Sequence, residues 1–427
     1  MKSDTPKVLV VNTSDSSGGA ARAAYRIQNA VNKLGGNSFM FVKNKGLDDD
    51  SVRSLSEFIP QHKLYRAVDW LVTKFKNKVQ QYRWSKYPNK EDVFLSDLRS
   101  VSIHGAFRKI DFDILHLHWI NLRFLNLKEL TKIKQPIIWT LHDCWAFTGI
   151  CHYFYDCDKY QTHCGTCPFL HSGKEKDLSY KVWKKKQKYY KHLNLHIVTP
   201  SKWLGEAAKQ SALFSKFPVT VIPNPINTEL FSPSDKEEAC AILNIDSNKT
   251  YILYGAMNAV KDKNKGFAEL LKALKTFTTN YDSSNINMLV LGASEPIQEF
   301  DISIPIQYLG VITEDNKMVA AYRAASLMIV PSLSENLSNA IMESLSCATP
   351  VLAFNIGGNS DMIDHQNNGY LAKEKDSHDL AHGINWCLEN NKSGILSTNA
   401  RKKVLENFTE EIVGKRYRGV YERVMKE

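Results

Sequence analysis

Leu327-Met328-Ile329-Val330-Pro331, followed by Ser334-Glu335-Asn336-Leu337-Ser338-Asn339-Ala340-Ile341-Met342-Glu343, is the stretch that decides the fold. Its first part is a short unbroken apolar run, the pattern of a strand buried on both faces. Its second part enters a helical pattern at Ala340-Ile341-Met342-Glu343-Ser344-Leu345. In a doubly wound α/β sheet the loop between them lies at the carboxyl ends of the strands, where ligands bind. The spacing puts Glu335 in that loop and Glu343 about two helical turns further on. Two carboxylates eight residues apart also occur by chance on surface helices. The weight of the reading therefore rests on what flanks them.

The same strand-then-helix pattern repeats elsewhere in the chain. Val8-Leu9-Val10-Val11-Asn12 runs into Gly18-Gly19 and then a helical pattern to Leu34. That Gly-Gly turn lets the backbone approach a ligand, and the helix start behind it favours anionic groups. Phe112–Trp119, Gln135–Asp143 and Leu195–Ser201 read as further strands, with His118, Trp119, His142 and Asp143 at their carboxyl ends. The Pro-rich run Val219–Asn227 reads as a passage to a second domain. Strands resume at Tyr251–Gly255, Asn287–Gly292, Gln307–Gly310, Leu327–Pro331 and Val351–Phe354. Strands alternating with helices imply parallel sheets. The expected organisation is α/β: a Rossmann-like domain over residues 1–218, a second over 219–408, and a terminal helix over 409–427.

The 427 residues are 43% hydrophobic, enough for two cores, and no apolar run reaches the ~18–20 residues that span a bilayer. The start of the chain lacks a signal-peptide pattern, which predicts a cytoplasmic protein. The net charge of +10 is unevenly spread: residues 1–220 carry 35 Lys and Arg against 19 Asp and Glu, the remainder 20 against 26. A basic first half predicts a polyanionic partner for that half.

The context of the carboxylate pair resembles the donor-site signature of retaining, nucleotide-sugar-dependent glycosyltransferases of the GT-B fold, glycosyltransferase family 4. The residues that carry the resemblance are Ser334-Glu335 through Glu343, then Cys347-Ala348-Thr349-Pro350-Val351 and Ile356-Gly357-Gly358-Asn359-Ser360. Ala348 stands where that family usually has Gly, and Asn336 and Ser338 where many members have Gly and Pro. The resemblance implies two Rossmann-like domains facing across a cleft, with the terminal helix over 409–427 crossing back to the first. It implies that Lys265 grips the donor diphosphate, and that Glu335 sits by the donor sugar with Asn336, Leu337 and Ser338. It gives Glu343 the ribose, and has Gly18, Gly19, Gly357, Gly358 and Asn359 approach sugar or phosphate. His142 would face the donor sugar, with His118, Trp119 and Asp143 on the acceptor side. The family's usual Arg is replaced by Ala256, with Lys261 or Lys263 as substitutes. No catalytic metal is implied.

A second motif is similar to a segment of the family's bacterial surface-polysaccharide subgroup. It runs His142-Asp143-Cys144-Trp145-Ala146-Phe147-Thr148-Gly149-Ile150-Cys151-His152-Tyr153 and on to Cys167-Pro168. Within it Cys151, Cys157, Cys164 and Cys167 fall within 17 residues, in a Cys-rich loop over 144–168. Four clustered thiols that include a C-x2-C predict a structural Zn site stapling the loop, against the bland reading of reduced free cysteines.

Leu64, Val68, Leu71, Val72, Phe75, Val79 and Tyr82 recur at helical spacing among Lys and Arg, with Trp70 and Trp84 added. This reads as a basic amphipathic helix for an anionic membrane surface, and Lys181–Lys191 is similar in character. The sequence thus predicts a glycosyltransferase on the inner face of the cytoplasmic membrane. It would take a nucleotide-sugar donor and a glycan or polyprenyl-diphosphate-linked acceptor in O-antigen, capsule or exopolysaccharide assembly. A sugar-nucleotide epimerase of the same fold is the alternative. A zinc-containing nucleic-acid binder is a weaker one, since no RNA or DNA motif accompanies the charge and no nucleic-acid partner is expected.

Overall fold

The computed structural model describes residues 5–58, 63–91, 104–255, 262–293 and 302–426. The chain forms two compact units: Met1–Ile222 with Lys415–Glu427, and Pro223–Gly414.

The first unit is built on a sheet of seven strands: β1 (Lys7–Ser14), β2 (Asn37–Asn44), β3 (Val52–Ser54), β4 (Ile114–Leu117), β5 (Ile137–Thr140), β6 (Leu195–Thr199) and β7 (Val219–Val221). Their order is β3-β2-β1-β4-β5-β6-β7, and every pair is parallel. The second unit has six: β8 (Thr250–Gly255), β9 (Ile286–Leu291), β10 (Ile306–Gly310), β11 (Leu327–Val330), β12 (Val351–Phe354) and β13 (Gly369–Ala372). Their order is β10-β9-β8-β11-β12-β13, again all parallel.

The opening stretch explains the second sheet. Met328 and Val330 of β11 pack into the apolar layer holding Leu253 and Ile341. Leu327 and Ile329 pack into the opposite layer with Ile252, Tyr254 and Leu270. Alternate residues point to opposite faces, so an unbroken apolar run is what a strand covered on both sides requires. Each such side chain contributes about 1.5–3 kcal/mol on burial.

Both sheets reverse strand order once, between β1 and β4 in the first and between β8 and β11 in the second. In parallel α/β sheets such switch points are where ligands bind, because the flanking loops part there. The loops that follow are Asp15–Gly18 and His118–Trp119 in the first unit. In the second the described parts are Asp262–Gly266 and the loop Pro331–Ser338.

Three departures from the sequence reading concern edges. Val219–Val221 is strand β7, paired to β6, and not part of a linker; the passage to the second unit begins at Pro223. Strands β2 and β3 complete one edge of the first sheet, and β13 completes one edge of the second. The terminal helix Glu410–Val424 buries Tyr417 and Tyr421 in the first unit, where Tyr421 meets His116 Nδ1 at 2.9 Å.

Candidate functional site

In the second unit, the loop after β11 is gripped from two sides. A Cβ on Gly266 would lie 1.8 Å from the carbonyl oxygen of Pro331, and one on Gly357 would lie 1.7 Å from that of Glu335. Both glycines have left-handed backbones, φ +68° and +52°. No other residue fits at either position. Leu333 N donates to Asn264 O at 2.8 Å, and Asn264 Nδ2 donates to Ser334 O at 2.9 Å. The loop is therefore a fixed ledge between the start of the Phe267–Asn280 helix and the Gly357-Gly358 turn.

On that ledge Lys265 Nζ meets Glu335 Oε2 at 3.4 Å, with side-chain exposures of 26% and 12%. The Glu335 charge raises the Lys265 pKa above its ordinary 10.5, against the opposing pull of burial. Asn336, Leu337 and Ser338 are buried and lead into the Asn339–Ser346 helix, whose cap Ser338 makes no side-chain cap bond. Asn359, fully buried, donates through Nδ2 to Phe354 O at 3.0 Å, just past the Gly357-Gly358 turn. Glu343 is buried, 3% exposed, and Tyr322 donates to its Oε2 at 2.8 Å. Sequence reasoning named Glu335, Glu343, Lys265 and Gly357 but missed Gly266 and Tyr322. Lys263 is exposed. Ala256 and Lys261 lie outside the described residues.

In the first unit, Gly18 (φ 92°) starts the Gly19–Lys33 helix behind the buried Asp15, which accepts from the amides of Gly46 and Leu47. Beside it Trp119 N donates to Asn12 Oδ1, and Thr13 N to Trp119 O, both at 2.8 Å. His118 and His142 stack with ring centroids 5.2 Å apart, and His118 Nδ1 lies 3.0 Å from His142 Nε2. Burial keeps these imidazoles neutral: His142 is lowered from 6.5 to about 4, and His118 falls well below its ordinary value. Asp143 accepts from Trp119 Nε1 and Trp145 N at 2.8 Å each, and lies 2.5 Å from His152 Nδ1. It stays ionised because His152 and these donors lower its pKa, overriding the opposing effect of burial, the largest single influence. His118, Trp119, His142 and Asp143 line one pocket with Asn121, a residue the sequence reading missed. His118 Nε2 and Asn121 Oδ1 are buried there without partners.

The family model described as Glycosyltransferase Family 4 matches residues 17–230, half of the chain, and that described as Glycosyl transferases group 1 matches residues 235–403. The chain belongs to glycosyltransferase family 4.

Among curated relatives, an uncharacterized glycosyltransferase of Methanocaldococcus jannaschii is 22% identical over 235 residues, 45% of this chain and 59% of that protein. The N,N'-diacetylbacillosaminyl-diphospho-undecaprenol alpha-1,3-N-acetylgalactosaminyltransferase of Campylobacter jejuni is 28% identical over 129 residues, 30% of this chain and 33% of that protein. The chain spans about half the length of the first curated relatives it matches. Sucrose-phosphate synthase from Thermosynechococcus elongatus superimposes with a TM-score of 0.67 at 17% identity, covering 99% of each chain. Anabaena HepE in complex with UDP-glucose gives 0.63 at 15% identity, covering 98% of this chain and 100% of that one. These likenesses establish the fold: two parallel-sheet Rossmann-like units, as in GT-B glycosyltransferases.

Cys151, Cys157, Cys164 and Cys167 are free thiols that lie within electrostatic reach of one another, and among the described residues no group of three His, Cys, Asp or Glu is already gathered as a metal centre requires. Cys151 and Cys167 pack with Ile150, Leu170, Leu178 and Val182, and burial pushes the Cys151 thiol up to about 12. The loop is held by the Leu178–Tyr190 helix. Asp177 Oδ2 accepts from Cys167 N at 2.8 Å, and Tyr190 donates to Ala146 O at 3.1 Å. Lys186, fully buried, donates to the carbonyls of Trp145, Thr148 and Gly149, with Nζ 3.8 Å from the centroid of the Trp145 ring.

The basic run Lys181–Lys191 differs from expectation. It lies mostly on that same helix, and its apolar residues Val182 and Trp183 belong to the core, not to a surface. The Lys63–Trp84 helix is the opposite case: Trp70 (58%), Phe75 (69%), Leu71, Val72 and Tyr82 are all exposed. Lys74 and Lys86 lie over the rings of Trp70 and Tyr82 at 4.7 and 4.6 Å. The side chains of Leu64 and Val68 lie outside the described residues.

Proposed function

We propose that this protein is a retaining glycosyltransferase that moves a sugar from a nucleotide-sugar donor to a glycan acceptor carried on polyprenyl diphosphate. The setting would be surface-polysaccharide assembly on the inner face of the cytoplasmic membrane. The observation that carries the reading is the Lys265–Glu335 pair, 3.4 Å apart on a ledge fixed by two glycines at the switch point of the second sheet.

In this reading Lys265 takes the donor diphosphate. Its fixed positive charge stabilises the negative charge that grows on the leaving phosphate, and a divalent cation is not needed for that task. Glu335 accepts from the donor sugar's hydroxyls, and Glu343 from the ribose. The turn Gly357-Gly358 and the Gly18-Gly19 turn bring backbone amides to sugar or phosphate. Neutral His142 offers a hydrogen bond to the donor sugar without adding charge, while His118, Trp119 and Asp143 serve the acceptor. The bond from anomeric carbon to diphosphate oxygen breaks, the acceptor oxygen bonds to the same face of that carbon, and its proton passes to the departing phosphate. Glu335 is therefore a sugar-positioning group and not a nucleophile, unlike the paired carboxylates of glycoside hydrolases.

Two observations support the wider setting. A Campylobacter jejuni relative is named for a diphospho-undecaprenol acceptor. The exposed aromatic and basic residues of the Lys63–Trp84 helix suit an anionic bilayer surface, where indole rings and lysines sit at the headgroup level.

A screen of nucleotide-sugars, read by nucleotide release and by NMR of the product's anomeric configuration, tests the core of the proposal. An α-linked product from an α-donor is expected, in the presence of EDTA as in its absence. An inverted product, or an epimerised donor, overturns it. For the membrane arm, sedimentation with anionic but not neutral liposomes at low salt is expected, and equal recovery with both counts against it.

A further inference from the structure

A buried carboxylate is stable only when protein groups or ligand meet its oxygens. For Glu343, 3% exposed, Tyr322 is such a group, its phenol donating to Oε2 at 2.8 Å. Tyr322 lies on the Asp315–Ala324 helix, 21 residues before Glu343, and is itself 4% exposed. Its backbone and ring are both held. Thr349 Oγ1 donates to Tyr322 O at 2.7 Å. Thr349 is in turn tied to Ser344, the neighbour of Glu343: Thr349 N donates to Ser344 O, and Ser344 Oγ to Thr349 O, each at 3.0 Å. Phe231 meets the phenol ring edge-on at 6.3 Å. The next residue, Arg323, is anchored by Nε donating to Ser232 O at 2.7 Å. Tyr322, Thr349 and Ser344 therefore make a closed frame around one carboxylate, drawn from three separate segments of the second unit.

We propose that Tyr322 is a positioning residue for ribose recognition. Its hydroxyl fixes one oxygen of Glu343, so the carboxylate meets the vicinal 2′- and 3′-hydroxyls of a nucleoside diphosphate in a single orientation. The inference rests on reading Glu343 as the ribose-binding group. It adds that the frame, and not the glutamate alone, sets the preference for ribose. A carboxylate free to rotate would lose rotamer freedom on binding and accept a deoxyribose with little loss. A locked one rejects a sugar that leaves a buried acceptor unpaired.

The test is a matrix of variants and ligands. UDP, GDP and ADP are titrated into the intact protein by calorimetry, and the tightest is compared with its 2′-deoxy and 3′-deoxy analogues. Wild type is expected to favour the ribonucleotide by about tenfold or more. Tyr322→Phe is expected to bring that ratio close to one and to raise the donor KM about tenfold while kcat at saturating donor holds. Thr349→Val, which loosens the same tyrosine from the backbone side, is expected to lower the ratio in smaller measure, and serves if Tyr322→Phe does not fold. Glu343→Gln separates the two layers. If it loses the preference while Tyr322→Phe and Thr349→Val keep it, or if those two weaken ribo and deoxy ligands equally, the role of Tyr322 is overturned and the reading of Glu343 stands. If wild type itself shows no preference, or binds no nucleotide, the reading of Glu343 falls and takes the inference with it.

Discussion

The two switch points of this molecule are furnished in opposite ways. In the second unit the loop after β11 presents charge, with Lys265 against Glu335 and Glu343 held by Tyr322. In the first unit the loops after β4 and β5 present stacked imidazoles that burial keeps neutral, His118 against His142, with His116 behind them. The same parallel topology supports both. The difference lies in what each loop does with water: Lys265 remains a quarter exposed, whereas His118 is sealed. Charge is kept where a diphosphate could displace solvent and meet a countercharge. In the first unit the Asp143 charge is taken up by Trp119, Trp145 and His152, and the imidazoles beside it are neutral.

The largest effect expected from this contrast is on turnover. Lys265→Ala and Glu335→Ala should each lower kcat by about a thousandfold or more, in keeping with the removal of a preorganised charge or donor from a reacting centre. Circular dichroism should remain unchanged. Near-normal turnover in either variant would erase the distinction between the two loops.

The next effect is on stability, where the contributions of His142 and Lys265 are lost in opposite directions of pH. The pKa of His142 in the folded protein, about 4, lies below its ordinary 6.5, so the unfolded chain binds more protons in that window. Stability should therefore fall as pH drops from 6.5 towards 4, by roughly 3 kcal/mol for this residue at the limit. His116, lowered to about 3, adds to the same slope. The raised pKa of Lys265 acts in the other direction: its contribution is present below 10.5 and is lost as pH rises through the higher folded value. Urea unfolding at pH 6.5, 5.5 and 5.0, above the range of ordinary carboxylates, should show the acid slope, and His142→Gln should reduce it. An unfolding free energy independent of pH across that range would contradict the neutral-imidazole account.

A smaller effect on rate is expected from His142→Gln, about a hundredfold in kcat, because a neutral hydrogen-bonding side chain replaces another. A loss equal to that of Lys265→Ala would mean that both loops carry charge in the reaction.

The smallest effect is local to the second unit. Ala348 has φ 62°, a left-handed backbone at the position where the resemblance leads one to expect glycine. Ala348→Gly should stabilise that unit by about 1 kcal/mol by relieving the Cβ, with part of the gain offset by the looser unfolded chain. A lower melting temperature for this variant would show that surrounding contacts compensate for the strain.

What could be read from the sequence follows the range of the interaction concerned. Strands β8 and β11 and the Glu335–Glu343 spacing announce themselves through periodicity within about 15 residues, and both family models match where the motifs lie. Gly266 did not, because the carbonyl that forbids its Cβ belongs to Pro331, 65 residues away. Tyr322 looked like an ordinary core residue until its hydroxyl was placed against Glu343. The role of Lys186 was hidden for a related reason: it holds the Cys-rich loop from a basic run whose other lysines face solvent. Edge strand β7 was hidden by the prolines after it, although its Val-Thr-Val composition is that of a strand.

The placement of Tyr417 and Tyr421 has a consequence for how the protein is made. They lie against Thr140 and His116, beneath the imidazole site, yet they follow the whole second unit in the chain. During translation the second unit, Pro223–Gly414, is complete while the first still lacks its closing helix. At about 5–20 residues per second the delay between Ile222 and Tyr421 is of the order of ten to forty seconds. For that interval the nascent first unit carries an uncovered slot at His116 and Thr140, which closes only after the second unit has been made.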